Sequence, residues 1–359
     1  MQPLMNLKNL KTLNLAWNHF LLLPKNLIQN LTNLNTLDLS NNELIDIPKD
    51  FFKNTQALTK LILDDNRLVL LYSLPFQELV NLKTLHMRRN LLVYIHRSLF
   101  STLINLKELR LENNCIVAVE PLAFLSFENL LTLDLSYNFF ASVNTNPRIP
   151  LNDLKSLTTL DLSYNSIFYL EVDYGLHECV TLINLYLNNN KIYYIHERMF
   201  EKLERLSFLH LSNNNLITLP NNLFLHNQNL MTLLMTNNSL VRLESKLFEP
   251  IQKLVRIEVV NNSISEIERN FLNFIPNVVI LRLNGNECIS RNFPNGTEIE
   301  ERFFVQCYEN YENSELEQIT MPPISTLPSF NEINNLSIKI EFNKIIFIIP
   351  TFISYIQRL

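Results

Sequence analysis

The heptapeptide TLDLSYN stands at residues 132–138 and again at 159–165, 27 residues further on. A repeated string in one chain calls for a search at fixed period, because internal repetition decides the whole fold. Extended by its leading leucine, the string becomes the frame L-x-x-L-x-L-x-x-N. The closing asparagine of that frame falls on Asn18, Asn42, Asn66, Asn90, Asn114 and Asn138, always 24 residues apart. It then falls on Asn165 after 27 residues and Asn190 after 25, and the step of 24 resumes with Asn214, Asn238, Asn262 and Asn286. Leucine fills most of the three apolar positions; Met87, Met235, Ile257, Val259 and Val278 stand in for it elsewhere. Twelve matches in register exclude coincidence.

The centre of each unit alternates. Leu133 and Leu135 face one way, Asp134 and Ser136 the other, which is the pattern of a strand with one buried face. So short a strand is not stable alone, but twelve side by side share one core. Their common direction makes the sheet parallel, so each return must cross the far side of the coil. That return has its own grammar: an apolar pair such as Leu44 and Ile47, then a phenylalanine (Phe52, Phe76, Phe100, Phe124, Phe200, Phe224, Phe248, Phe271), then a closing apolar residue such as Leu79 or Leu103. Short helical turns and extended pieces are expected there. The asparagine carries both an amide donor and an acceptor, so a stacked row of them can satisfy backbone groups turned inward by the sharp bend.

These residues resemble a leucine-rich repeat protein of the 24-residue typical class, found mostly in extracellular and receptor proteins of animals. The likeness covers residues 10–286 closely and extends to 1–307. It implies an α/β fold: a right-handed solenoid, or horseshoe, with a parallel concave sheet and short helical or irregular convex segments. The expected organisation is a solenoid of about twelve coils over 1–286, a C-terminal cap over 287–310, and a poorly ordered linker and apolar tail over 311–359. In this family the last coil is often closed by a cysteine-bearing cap, which implies a Cys288–Cys307 disulfide; the alternative is two free thiols in an intracellular protein. The fuller family cap has four cysteines and only two fall here. Cys115 and Cys179 read as small buried apolar residues.

Composition narrows the function. The net charge of −5 argues against a general affinity for nucleic acid. Three glycines leave no room for a glycine-rich phosphate loop. No apolar run reaches the ~18 residues of a membrane-spanning helix. The apolar segment IIFIIPTFISYI at 345–356 is short and broken by Pro350, and membrane anchoring is left open. His177-Glu178 and His196-Glu197 begin like H-E-x-x-H but lack the second histidine. No nucleophile, base and orienting group form a set, so no enzyme, cofactor or metal is expected. Residues 1–10 show no signal peptide and read as the end of a preceding coil, so the sequence is expected to begin inside a longer protein. N-x-S/T sequons at Asn30, Asn237, Asn261, Asn295 and Asn335 are glycosylation candidates and tilt the reading toward the secretory route.

Function is expected on the concave sheet, where solenoids usually bind partners. Coils four and five display a basic spot of Lys83, His86, Arg88, Arg89, Lys107 and Arg110, offset by Glu108 and Glu112 and flanked by Asp64 and Asp65. Coils six to eight display Tyr137, Tyr164 and Tyr186 beside Asp134 and Asp161, with Phe208 and His210 next. Tyrosine and arginine are the residue types that most often anchor interfaces, although a solvated sheet face also favours tyrosine. The partner-binding candidates are therefore His86, Arg88, Arg89, Arg110, Glu112, Tyr137, Tyr164, Tyr186 and His210. The reading is a non-enzymatic recognition module at the cell surface or outside the cell, as a receptor ectodomain or a secreted immune or adhesion protein. Its ligand is a protein, with a glycan or microbial ligand or a second copy of the chain as further options. The competing reading is an intracellular scaffold regulating an enzyme or signalling complex.

Overall fold

The computed structural model describes residues 4, 6–72, 74–141, 149–172, 175–294 and 298–316. The chain divides into two compact units, Met1–Tyr311 and Glu312–Leu359; of the second, only residues 312–316 are described. The first unit is a leucine-rich-repeat solenoid. Its sheet has thirteen strands among the described residues. Twelve are parallel and three residues long, from Thr12–Asn14 through Thr132–Asp134 and Thr159–Asp161 to Ile280–Arg282. Each buries its central apolar residue and turns the two flanking residues outward, as the alternation requires.

Register is kept through the long coil. Thr132 pairs with Thr159 and Asp134 with Asp161, so the extra residues lie wholly in the return. Part of that insertion, 142–148, falls outside the described residues; Ile149, Pro150 and Leu151 at its end are buried. Elsewhere the return is mostly turns, with one four-residue helix at Ser245–Phe248 and short 3-10 pieces. Among the described residues, three small parallel bridges that the sequence did not announce join neighbouring coils, such as Tyr94–Ile95 with Ala118–Val119.

The interior is one column of leucines behind the strands and a second column of aromatic rings. Phe52 and Phe76 lie tilted with centroids 6.3 Å apart, and Phe76 and Phe100 stack at 6.2 Å. Phe127 then joins Phe100 at 5.6 Å, because it occupies the closing position where other coils place Leu79 or Leu103. Each buried leucine or phenylalanine contributes about 1.5–3 kcal/mol.

The asparagine row does what its chemistry dictates. Asn138 donates through Nδ2 to the carbonyls of Leu111 (3.0 Å), Leu135 (3.1 Å) and Ser136 (3.1 Å), and its Oδ1 accepts from the Ile116 amide at 2.9 Å. One side chain thus ties two coils together. Asn18 is exposed and bonds only carbonyls of its own coil, Leu15 and Ala16. A second row went unread in the sequence although it is written there. Asn33, Asn81, Asn105, Asn129, Asn229 and Asn277 each precede the first leucine of a unit, and each donates Nδ2 to a carbonyl of the previous coil at 2.8–3.0 Å.

The far end is closed. Asn292–Phe293 pairs antiparallel with Ile280–Arg282 and covers the open strand edge. Behind it Phe293, Phe304, Cys307 and Tyr308 are buried, and Cys288 is bonded to Cys307 across a Cα–Cα distance of 5.2 Å. Cys179 is buried in the closing column, with its thiol pushed up to about 12 by burial. Cys115 differs from expectation: it is half-buried, because it follows the buried Asn114 at the surface end of the turn.

Candidate functional site

The outward residues of the strands form three rows across the sheet face. The row between the inner leucines runs His86, Arg110, Asp134, Asp161, Tyr186 and His210 on successive strands, each opposite the next. The row two residues further along includes Asp64, Arg88, Glu112, Ser136 and Ser163. The third row lies just past the strands, where the chain bends away.

All twelve residues of that third row have positive φ, from 50° at Arg89 and Asn261 to 74° at Gly285. Asparagine, aspartate and glycine tolerate this left-handed conformation, and eight coils use them. Gly285 has a second reason: a Cβ there would meet Asn261 Oδ1 at 2.2 Å. Trp17, Arg89, Tyr137 and Tyr164 are the four exceptions. A bulky side chain in this conformation costs roughly 1–2 kcal/mol, so these four are retained against a local penalty.

The structure separates the three tyrosines. Tyr137 and Tyr164 stack with ring centroids 4.0 Å apart and planes 9° from parallel. Both remain exposed, at 45% and 42%. Tyr186 lies in the first row instead, half-buried against Phe208 at 5.0 Å, with His210 edge-on at 6.5 Å. Burial holds the His210 imidazole below its ordinary range, so it is neutral near pH 7. Trp17, 82% exposed in the first coil, was not among the expected binding residues.

The arginines of the expected basic spot are paired with carboxylates. Arg88 Nε reaches Asp64 Oδ2 at 2.8 Å, Arg89 pairs with Asp65, and Arg110 Nε reaches Glu108 at 2.6 Å. Asp64 and Asp65 are thereby occupied by arginines of the next coil. Burial lowers the His86 imidazole as well, outweighing the nearby Asp64 and Glu108. The face here is an ordered set of pairs, two between neighbouring coils and one within a strand.

Glu112 is different. It is 9% exposed, and its Oε2 is enclosed without a hydrogen-bond partner. Burial, reinforced by the charge of Asp134, raises its carboxyl from 4.5 to about 7. Arg110 pulls the other way, but its guanidinium is already bonded to Glu108. Asp134 and Asp161 sit opposite each other on adjacent strands. Asp134 accepts from the Ser136 hydroxyl at 2.7 Å and Asp161 from the Ser163 amide at 2.8 Å. Among the described residues no group of three His, Cys, Asp or Glu side chains has an arrangement that could hold a metal. No described helix is long and apolar enough to cross a membrane.

The chain belongs to the leucine-rich repeat family, whose profile matches residues 8–68, 80–140 and 155–216, just over half of its length. No curated protein matches it. Among solved structures it is similar to TLR13 in a complex with ssRNA13, at 26% identity and TM-score 0.67, over 79% of this chain and 44% of that one. It is similar to the Toll–Spatzle complex of Drosophila at 21% identity and TM-score 0.66, over 80% and 40%. It is similar to the leucine-rich repeat domain of APL1B at 23% identity and TM-score 0.65, over 79% of both chains. The chain thus spans less than half of the TLR13 and Toll chains and about four-fifths of the APL1B domain. The profile match and the likeness to TLR13 support a leucine-rich repeat protein of the extracellular type, and the fold is that of a protein-interaction module.

Proposed function

We propose that this chain is a non-enzymatic recognition module, of a receptor ectodomain or a secreted immune or adhesion protein, that binds a protein partner on its sheet face. The stacked pair of Tyr137 and Tyr164 carries the reading: two large aromatic side chains, exposed and side by side, stand at positions where eight other coils use residues suited to the backbone. Aromatic anchors of this kind dominate interface energetics. Tyr186, His86, Arg88, Arg89, Arg110, Glu112 and His210 supply the surrounding polar surface. The Cys288–Cys307 bond supports a setting outside the cytosol over an intracellular scaffold.

The sequons are consistent with that setting. Asn237 and Asn261 are exposed in the third row, where Asn237 Nδ2 reaches Asn213 at 2.7 Å and Asn261 Nδ2 reaches Asn237 at 3.0 Å. A glycosylated amide keeps one N–H, so this ladder survives modification at either site. Asn30 is half-buried, and Asn295 and Asn335 lie outside the described residues. TLR13 is solved with ssRNA and Toll with Spatzle. The protein reading is preferred here because the arginines of the face are engaged by carboxylates and the net charge is −5.

A test uses a phage-displayed random dodecapeptide library selected on the immobilised full chain. Selected peptides lose at least about tenfold in affinity for the Tyr137→Asn/Tyr164→Asn variant, while its unfolding midpoint stays level or rises, since asparagine suits the left-handed backbone. Tyr186→Ala is measured separately because that ring packs on Phe208. Peptides that bind both proteins equally remove the tyrosine pair from the account.

A further inference from the structure

Four carboxylates of the face are matched by cations: Asp64 by Arg88, Asp65 by Arg89, Glu108 by Arg110, and Glu258 by Arg256 and Arg282. Four are not. Asp38 stands apart in the second coil with Ser40 as its partner. The other three, Glu112, Asp134 and Asp161, occupy three consecutive coils, and none makes an ion pair among the described residues. Adjacent strands are about 4.8 Å apart, so the opposed Asp134 and Asp161 repel each other. Their serine hydrogen bonds hold the carboxylates in place without neutralising them. Beside them, Glu112 Oε2 is enclosed with no donor facing it. Tyr137 and Tyr164 lie three residues beyond Asp134 and Asp161 on the same two coils, with their outer surfaces exposed.

Building on the protein-recognition reading, we propose that this place takes a guanidinium-bearing segment of a basic protein partner, its arginine lying against the Tyr137–Tyr164 pair and between the carboxylates of Asp134, Asp161 and Glu112. Charge complementarity selects that occupant. A planar guanidinium can bond two carboxylate oxygens while its face rests on an aromatic ring, which a compact ammonium does less well. A divalent metal is disfavoured by the absence of a suitable ligand group among the described residues. An acidic or nucleic-acid ligand would add like charge beside Asp134 and Asp161, which make no ion pair among the described residues.

The experiment titrates the full chain with two synthetic peptides, (Arg-Gly)4 and (Glu-Gly)4, by calorimetry in low salt. The first binds and the second does not. Asp134→Asn/Asp161→Asn weakens (Arg-Gly)4 by about tenfold or more, whereas Asp50→Asn/Glu128→Gln, which changes net charge equally at exposed positions away from the face, weakens it less than about twofold. Equal losses in the two variants reduce the effect to bulk charge and overturn the proposal, as does tight binding of (Glu-Gly)4 or no binding of (Arg-Gly)4 by the wild type. The two readings fail separately. Acidic or neutral display-selected peptides that still depend on Tyr137 and Tyr164 overturn the guanidinium and leave the face; peptides indifferent to the tyrosines overturn the face itself.

Discussion

Replacing Asn138 by alanine destabilises the solenoid by about 2–3 kcal/mol, while the same change at Asn18 costs under about 1 kcal/mol. The two positions are equivalent in sequence and unequal in structure. Asn138 is 5% exposed and makes four hydrogen bonds, two of them to the preceding coil. Alanine orphans the buried Ile116 amide, at ~1–3 kcal/mol, whereas the Leu111 and Leu135 carbonyls lose one donor each but keep Asn114 and Asn165. Asn18 has no coil before it among the described residues and faces water. In a repeat array each coil is held by its neighbours, so a defect in the middle also divides the cooperative unit. Urea unfolding followed by circular dichroism separates the cases: a lowered midpoint and a broadened transition for Asn138→Ala, little change for Asn18→Ala. Equal shifts would show that the row is not what binds the coils.

Glu112→Gln is expected to stabilise the protein, and only at higher pH. The unfolded carboxyl ionises near 4.5, the folded one near 7. Below about 4.5 both states are protonated and wild type and variant match. Between 4.5 and 7 the unfolded state binds fewer protons than the folded state, so wild-type stability falls as pH rises and levels off above 7. The raised folded value corresponds to at most ~3 kcal/mol, and the glutamine variant, which never ionises, gains about 1–3 kcal/mol over wild type at pH 8. Unfolding titrations at pH 4 and pH 8 measure this directly. Parallel pH profiles for the two proteins would mean that Glu112 is solvated in the folded state. An apolar interior has no use for such a residue; on a binding face its ionic cost is relieved when a cation arrives.

The leucine frame made the fold legible, because a period of 24 residues fixes which side chains are buried and which strands are neighbours. The first asparagine row was legible for the same reason. The second row, Asn33 to Asn277, was equally periodic, but a polar residue before a strand carries no announcement of its carbonyl partner one coil away. The rows of the face could be written down from the sequence, yet their electrostatics could not. Arg88, Arg89 and Lys107 read as a basic spot until the structure shows Asp64 and Asp65 holding both arginines. Pairing depends on side-chain conformation between coils, which one-dimensional spacing does not contain. Tyr186 was grouped with Tyr137 and Tyr164 by residue type, although its place in the frame aligns it with Asp134 and Asp161. The left-handed backbone under the tyrosine pair had no signal in the residues themselves, since tyrosine and tryptophan do not ordinarily mark that conformation.

The most direct test of face recognition is hydroxyl-radical footprinting of the full chain, read by mass spectrometry, with and without a display-selected peptide. Tyr137 and Tyr164 should become protected while Tyr72, 68% exposed on the return side, keeps its reactivity. Protection of Tyr72 with the stacked pair still fully reactive would place binding on the opposite surface and contradict the account.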